Sequence, residues 1–225
     1  MATVEETRPI FLICGCQKYR PFLEAAVKRY ANPTRWLTIG LLGDPDATEA
    51  RIEDSGSGSG TALLIVPNPD TYESLPAKIH AAVEWIHRTW PRVPGVFKTD
   101  DDILFPDRAL LERTIRMNRS KPYWGLYVGQ CPAATIPRTR IESRFTDKST
   151  DREYSHQAAR YCFGAGYWIG APSLPIVASA KEAFSSSVLE DVCMGYVLNQ
   201  AGVFPTKILI PVTEAPRGPE LLRAK

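Results

Sequence analysis

No apolar run in this 225-residue chain approaches the ~18 residues that a membrane-crossing helix requires. Net charge is also scarce: 27 Lys+Arg against 25 Asp+Glu leave +2, too little for a general electrostatic hold on nucleic acid or an anionic membrane. Only three histidines are present, His80, His87 and His156, and they show no metal-site spacing with the cysteines. The five cysteines are odd in number, and the one close pair, Cys14-Gly15-Cys16, is a residue short of the usual zinc or redox spacing. A disulfide scaffold is excluded, and reduced, mostly buried thiols are expected. Residues Met1–Pro9 are polar and lack the apolar centre of a signal peptide. These absences predict a cytoplasmic or otherwise soluble chain, with a fragment of a longer protein left open. They do not name a function.

What is present is an ordinary globular composition, 44% hydrophobic and 10% aromatic, which suits a packed core and not a disordered chain. Short apolar runs alternate with amphipathic ones. Ile10–Cys14 reads as a buried strand, residues 22–30 as a short helix after Pro21, and residues 36–42 as a second strand ending in the turn Gly43-Asp44-Pro45. Residues 62–66 form a third strand, stopped by Pro67-Asn68-Pro69. Between Ser74 and Trp90, the residues Leu75, Ile79, Ala82, Val83, Ile86 and Trp90 recur at helical spacing. Pro94-Gly95 resets the chain before the strand at Val96-Phe97-Lys98. This alternation predicts an α/β fold around a mostly parallel sheet.

Further on, residues 106–117 read as helix, 124–128 as strand, and 188–201 as a helix ending at Gly202. Residues 130–160 are polar, with Arg138, Arg140, Arg144, Lys148, Arg152 and Arg160 among scattered acids. A segment of this kind is a functional loop over an anionic ligand or a solvated connection. The run Ser55-Gly56-Ser57-Gly58-Ser59-Gly60 resembles a phosphate loop in composition alone. It precedes a strand instead of following one, and it lacks the Gly-Lys-Ser/Thr ending, so it reads as a flexible connection.

The informative tripeptide is Asp100-Asp101-Asp102, between Val96-Phe97-Lys98-Thr99 and Ile103-Leu104-Phe105. Three adjacent carboxylates repel one another. A divalent cation sharing the charge makes them reasonable at a strand end, because Mg²⁺ or Mn²⁺ is held by one or two carboxylates plus substrate phosphates. A solvated acidic turn is the other reading. Strand-end placement fits the rule that open α/β sheets bind ligands beyond their carboxyl ends.

From this point the sequence resembles a family. Residues Val96 to Ile103 look like the Lys-Thr-Asp-Asp-Asp-Val block of the β-1,3-galactosyltransferases, glycosyltransferase family 31. Asp70-Thr71-Tyr72-Glu73-Ser74-Leu75-Pro76-Ala77-Lys78 is similar to its Asp-Ser-Tyr-x-Asn-Leu-x-x-Lys segment. Tyr161-Cys162-Phe163-Gly164-Ala165-Gly166-Tyr167 is similar to its Tyr-Cys-x-Gly-x-Gly-Tyr segment, and Glu190-Asp191-Val192-Cys193-Met194-Gly195 to its Glu-Asp-Val-x-x-Gly helix start. Four blocks in the right order are far more specific than any one.

The resemblance implies a GT-A fold, a Rossmann-like α/β/α sandwich, occupying residues 1–225 as one domain or as part of a longer protein. It implies a UDP-sugar donor, most often UDP-galactose, with Mn²⁺ or Mg²⁺, a glycan or glycoprotein acceptor, and no nucleic-acid partner. Asp102 would ligate the metal, and Asp100 and Asp101 would contact the donor directly or through water. Lys78, Gly164, Ala165 and Gly166 would help to hold the donor, and Asp191 would be the general base of an inverting transfer. Adjacent helix residues diverge by about 100°, so Glu190 and Asp191 do not face one acceptor together; the match selects Asp191. Tyr161, Tyr167 and Trp168 are either sugar-stacking or core aromatics. The family's late histidine, a metal ligand in many members, has no counterpart after His156, and its usual membrane anchor and stem are not seen before the first strand. Two rival readings stay open: a catalytically inactive nucleotide-sugar or glycan-binding module, and a nucleotidyltransferase using the acidic tripeptide for two metals.

Overall fold

Every residue of Ile10–Cys14 (β1) is buried, which is what a strand covered on both faces of a sheet requires. The computed structural model describes residues 6–56, 60–136 and 154–214. In chain order the other strands are Leu37–Gly43 (β2), Arg51–Asp54 (β3), Thr61–Val66 (β4), Gly95–Asp100 (β5), Ile103–Leu104 (β6), Tyr123–Gly125 (β7) and Val128–Cys131 (β8). They continue with Ala134–Ile136 (β9), Tyr154–His156 (β10), Ala159–Cys162 (β11), Tyr167–Gly170 (β12), Thr206–Lys207 (β13) and Thr213–Glu214 (β14). The α-helices are Arg20–Tyr30 (α1), Leu75–Thr89 (α2), Arg108–Asn118 (α3), Leu174–Ala178 (α4), Lys181–Ser185 (α5) and Glu190–Gln200 (α6).

Eight strands form the main sheet in the order β13-β7-β12-β5-β1-β2-β4-β3. The segment β5-β1-β2-β4 is parallel, while β12 runs antiparallel to β5 and β7, and β3 antiparallel to β4. From β1 the chain steps outward through β2 to β4, then returns to place β5 on the other side of β1. The order reverses there, so the topological switch point lies between β1 and β5, where ligands of open α/β sheets bind. The register pairs Cys14 with Asp100 at that edge.

Alternate residues of β1 feed two cores. Ile10, Leu12 and Cys14 pack with Ile79, Ala82, Val83 and Ile86 of α2. Phe11 and Ile13 pack with Leu23 and Val27 of α1, Leu111 and Ile115 of α3, and the indoles of Trp124 and Trp168. The result is the α/β fold expected from the pattern, layered α/β/α as the resemblance implies. Pro76 in the first turn of α2 costs no hydrogen bond there, and the Asp107 carboxylate caps α3 by accepting from the Leu110 amide at 2.8 Å.

The expected strand at residues 124–128 is two elements. After Gly125 the chain leaves the main sheet, and from Val128 it pairs with β11 instead. A β-carbon on Gly125 would stand 2.5 Å from Cys162 Cβ, so the crossing is close enough to need glycine there. The glycine-serine run joins the antiparallel neighbours β3 and β4, with Gly56 and Gly60 at φ +65° and +79°; residues 57–59 lie outside the described residues. So do Arg138, Arg140, Arg144, Lys148 and Arg152. Arg160 sits on β11, with its guanidinium over the Phe204 ring.

Candidate active site

A cavity of about 630 Å³ opens beyond the carboxyl ends of β1, β4 and β5, lined by Gly15, Cys16, Asp70, Tyr72, Lys78 and all three residues of Asp100-Asp101-Asp102. The acidic tripeptide therefore stands at the switch point. The Asp101 amide donates to Cys14 O at 3.0 Å, carrying the β1–β5 pairing one residue past the strand and turning the buried Asp101 toward the loop after β1. That loop is tightly held. A β-carbon on Gly15 would lie 2.9 Å from Leu23 Cβ and 3.2 Å from Asp101 Oδ2.

Lys78 is buried in the cavity wall. Its Nζ donates to Gly15 O at 2.7 Å and lies 2.5 Å from Asp70 Oδ1, while Asp70 Oδ2 accepts from the Gln17 amide. Lys78 and Asp70 thus fasten the loop after β4 to the loop after β1. Asp70 belongs to the same sequence block as Lys78, so this pairing had a signal eight residues away that spacing on a helix alone does not reveal.

A second polar cluster lies on the other side of Asp100. On a strand, residues two apart share a face, so Lys98 and Asp100 point the same way. Lys98 Nζ is 2.8 Å from Asp100 Oδ1 and 3.3 Å from Glu190 Oε2, and it donates a hydrogen bond to the Gly164 carbonyl at 3.1 Å. The Tyr167 hydroxyl donates to Glu190 Oε1, and Thr99 Oγ1 donates to Ala165 O at 2.8 Å. Burial opposes the Lys98 ammonium, but Asp100 and Glu190 outweigh it and raise its pKa above the ordinary lysine range.

Because β12 runs antiparallel to β5, the turn Gly164-Ala165-Gly166 that leads into it falls beside Asp100. A β-carbon on Gly164 would stand 3.4 Å from Lys98 Nζ and 3.6 Å from Asp100 Oδ2, so its bare backbone faces the charged cluster. Gly166 serves packing instead, since a β-carbon there would meet Leu126 Cδ1 at 2.9 Å and Phe97 Cζ at 3.1 Å.

Asp191 enters from the first turn of α6, where a carboxylate is favoured by the helix dipole. It accepts from the Val192 amide at 2.9 Å and from the Gly164 amide. Burial raises its pKa, with Asp100 adding to the effect, while Lys98 and the two amides oppose it. Glu190 is turned inward to Lys98 and Tyr167, and burial raises its pKa too. Asp100, Gly164 and Asp191 are therefore brought together around Lys98, whereas Ala165 accepts from Thr99 on the opposite face of β5 and packs against the core of Phe97 and Trp124. Asp101, Asp102 and Lys78 line the neighbouring cavity.

Lys98, Glu190 and Tyr167 are the members of this arrangement to which sequence reading assigned no part in it, and the two-residue spacing of Lys98 and Asp100 was the available signal. Tyr167 and Trp168 are fully buried, Trp168 stacked on Trp124, so their rings belong to the core. Tyr161 is half-buried and stacks on Phe163. Asp100, Asp101 and Asp102 offer the hard oxygen donors that suit Mg²⁺ or Mn²⁺. Among the described residues no three His, Cys, Asp or Glu side chains converge as a complete cage, so the fit is to an ion that takes its remaining ligands from phosphate and water.

The mostly parallel sheet, with acids at its switch point and helices on both faces, is consistent with the GT-A α/β architecture of nucleotide-sugar-dependent glycosyltransferases. The chain belongs to the galactosyltransferase family, which matches residues 27–208, within glycosyltransferase family 31. It is 28% identical over 169 residues to beta-1,3-galactosyltransferase 5 of the chimpanzee, covering 74% of this chain and 55% of that protein. It is 22% identical over 202 residues to mouse beta-1,3-galactosyltransferase 4, covering 79% of this chain and 54% of that one. The chain spans about half the length of these curated relatives. The solved structure of the WbbM bifunctional glycosyltransferase, in its apo form, aligns with 92% of this chain and 40% of that one, at a TM-score of 0.49 and 9% identity. Among the described residues no helix is long and apolar enough to cross a membrane.

Proposed function

We propose that this chain transfers a hexose, galactose by family, from a UDP-sugar to a hydroxyl of a glycan or glycoprotein acceptor, inverting the anomeric centre to give a β-linkage. The observation that carries this reading is the meeting of Asp191, Gly164 and Asp100 around Lys98, at the edge of the switch-point cavity. Asp102 would hold Mn²⁺ or Mg²⁺, with Asp100 and Asp101 nearest the donor, and the metal when bound neutralises the diphosphate as it leaves.

The chain's own residues supply the rest. Asp191 takes the proton of the acceptor hydroxyl as that oxygen bonds to the anomeric carbon and the bond to UDP breaks; one displacement inverts the centre. A carboxylate whose pKa is raised by burial is a stronger base than one in water, which suits this role. Lys98 keeps Asp100 and Glu190 in place and limits the mutual repulsion of three neighbouring carboxylates. Gly164 leaves open backbone where the donor sugar passes close to Asp100. Lys78 acts at one remove, by holding the two loops that frame the cavity.

The test is an assay of UDP-galactose, UDP-glucose and UDP-N-acetylhexosamines for Mn²⁺-dependent hydrolysis, followed by transfer to an array of glycans. Mn²⁺-dependent turnover of one UDP-sugar is the expected result. Binding of UDP without turnover of any donor would reduce the chain to a nucleotide-sugar-binding module.

A further inference from the structure

Six large hydrophobic side chains are exposed among the described residues, and Tyr127 and Phe163 are the two of them whose rings meet. Each is about two-fifths exposed, 41% and 42%, and their centroids are 6.3 Å apart. Single exposed apolar residues are ordinary; a contiguous exposed pair beside a polar site is informative. The Phe163 amide donates to Tyr127 O at 3.0 Å, which fixes the two segments together. Phe163 also stacks against Tyr161, at 5.3 Å and 21° between planes.

The position of this pair follows from how β11 lies along α6. Asp191, Gly195 and Asn199 are spaced by four and share one face of the helix. The Arg160 amide donates to Asn199 Oδ1 at 2.8 Å, a β-carbon on Gly195 would lie 2.5 Å from Tyr161 Cβ, and the Gly164 amide reaches Asp191. The chain from Arg160 to Gly164 therefore follows that face, and Phe163 is the last side chain before the bare Gly164 at Asp191. The underside of the rings has a structural explanation: a β-carbon on Gly129 would be 2.5 Å from Phe163 Cε1 and 3.0 Å from Tyr161 Cζ, so the rings cover that glycine. Covering Gly129 does not explain the exposed ring surface.

A pyranose ring has a face of C–H groups and a rim of hydroxyls. An aromatic surface removes the first from water without taking hydrogen bonds from the second, and a rigid ring does so at small entropic cost. We propose that Phe163, with Tyr127 beside it, is the platform on which the terminal pyranose of the acceptor stacks, with its hydroxyl turned to Asp191. The proposal rests on the reading of Asp191 as the base.

The experiment is saturation-transfer NMR of methyl β-D-galactopyranoside and methyl N-acetyl-β-D-glucosaminide with the full chain, UDP and Mn²⁺. At least one glycoside is expected to receive saturation on the protons of one ring face. Phe163→Ala, checked for an unchanged unfolding temperature, raises its Kd at least tenfold, and Phe163→Trp restores it. No saturation of either glycoside, or equal affinity in wild type and Phe163→Ala, overturns the platform. If face-selective, Phe163-dependent binding is seen while no UDP-sugar is turned over, the platform stands and the transferase reading fails.

Discussion

Lys98 and Glu190 meet at 3.3 Å across the boundary between β5 and α6, with 1% and 4% of their side-chain surfaces exposed. The pair joins the strand that carries the acidic tripeptide to the helix that carries Asp191. Removing one member of a buried pair leaves the other charge without compensation, at a cost of roughly 3–5 kcal/mol. Lys98→Met is therefore expected to destabilise the fold by that amount in urea unfolding. A loss under about 1 kcal/mol would mean that the cluster is better hydrated than its burial indicates.

The rate is expected to depend on pH through Asp191. The ionised carboxylate is the base, so activity falls as pH drops through its pKa. Burial places that pKa above the ordinary aspartate range, and the acid limb of kcat/KM should lie correspondingly high. Lys98 opposes the shift, so Lys98→Met, where it folds, should move the limb to still higher pH. A limb in the range of an exposed aspartate would contradict the assignment.

Asp102→Asn tests the metal site. Calorimetric titration with UDP should show tight binding only when Mn²⁺ is present, and the substitution should remove that dependence while leaving the unfolding temperature near wild type. Equal UDP affinity in wild type, metal-free protein and variant would sink the idea.

Gly195 tests the seating of α6 on β11. A β-carbon there would stand 2.5 Å from Tyr161 Cβ and 2.6 Å from Arg160 O, neither of which is the end of a flexible side chain. Gly195→Ala should cost about 1–3 kcal/mol by overpacking. Gly164→Ala, whose nearest contact would be 3.4 Å, should leave stability near wild type and slow transfer. Comparable thermal stability of the two variants would count against this geometry.

Local patterns made much of the frame legible. Ile10–Cys14 was bounded by its own apolar run, and α2 by its helical spacing between Ser74 and Trp90. The charged strand Arg51–Asp54 was not, because an edge strand carries no apolar alternation. Residues 124–128 read as one strand because nothing local announces that Gly125 crosses against Cys162. The site divides the same way. Asp100, Asp101 and Asp102 were visible as an unusual density of charge, whereas the partners of Lys98 are 66 and 92 residues away and follow only from the antiparallel return of β12 and the docking of α6. The divergence of adjacent helix residues anticipated that Glu190 and Asp191 part company. It did not say which one turns inward; Glu190 does, to Lys98 and Tyr167.

The central claim is that Asp191 acts as the base on a donor held by its neighbours, and single-turnover transfer from UDP-galactose in Mn²⁺ by wild type and Asp191→Asn tests it most directly. Binding of UDP within about twofold of wild type, with transfer slowed at least a hundredfold, is the predicted result. Transfer by Asp191→Asn at the wild-type rate would contradict it.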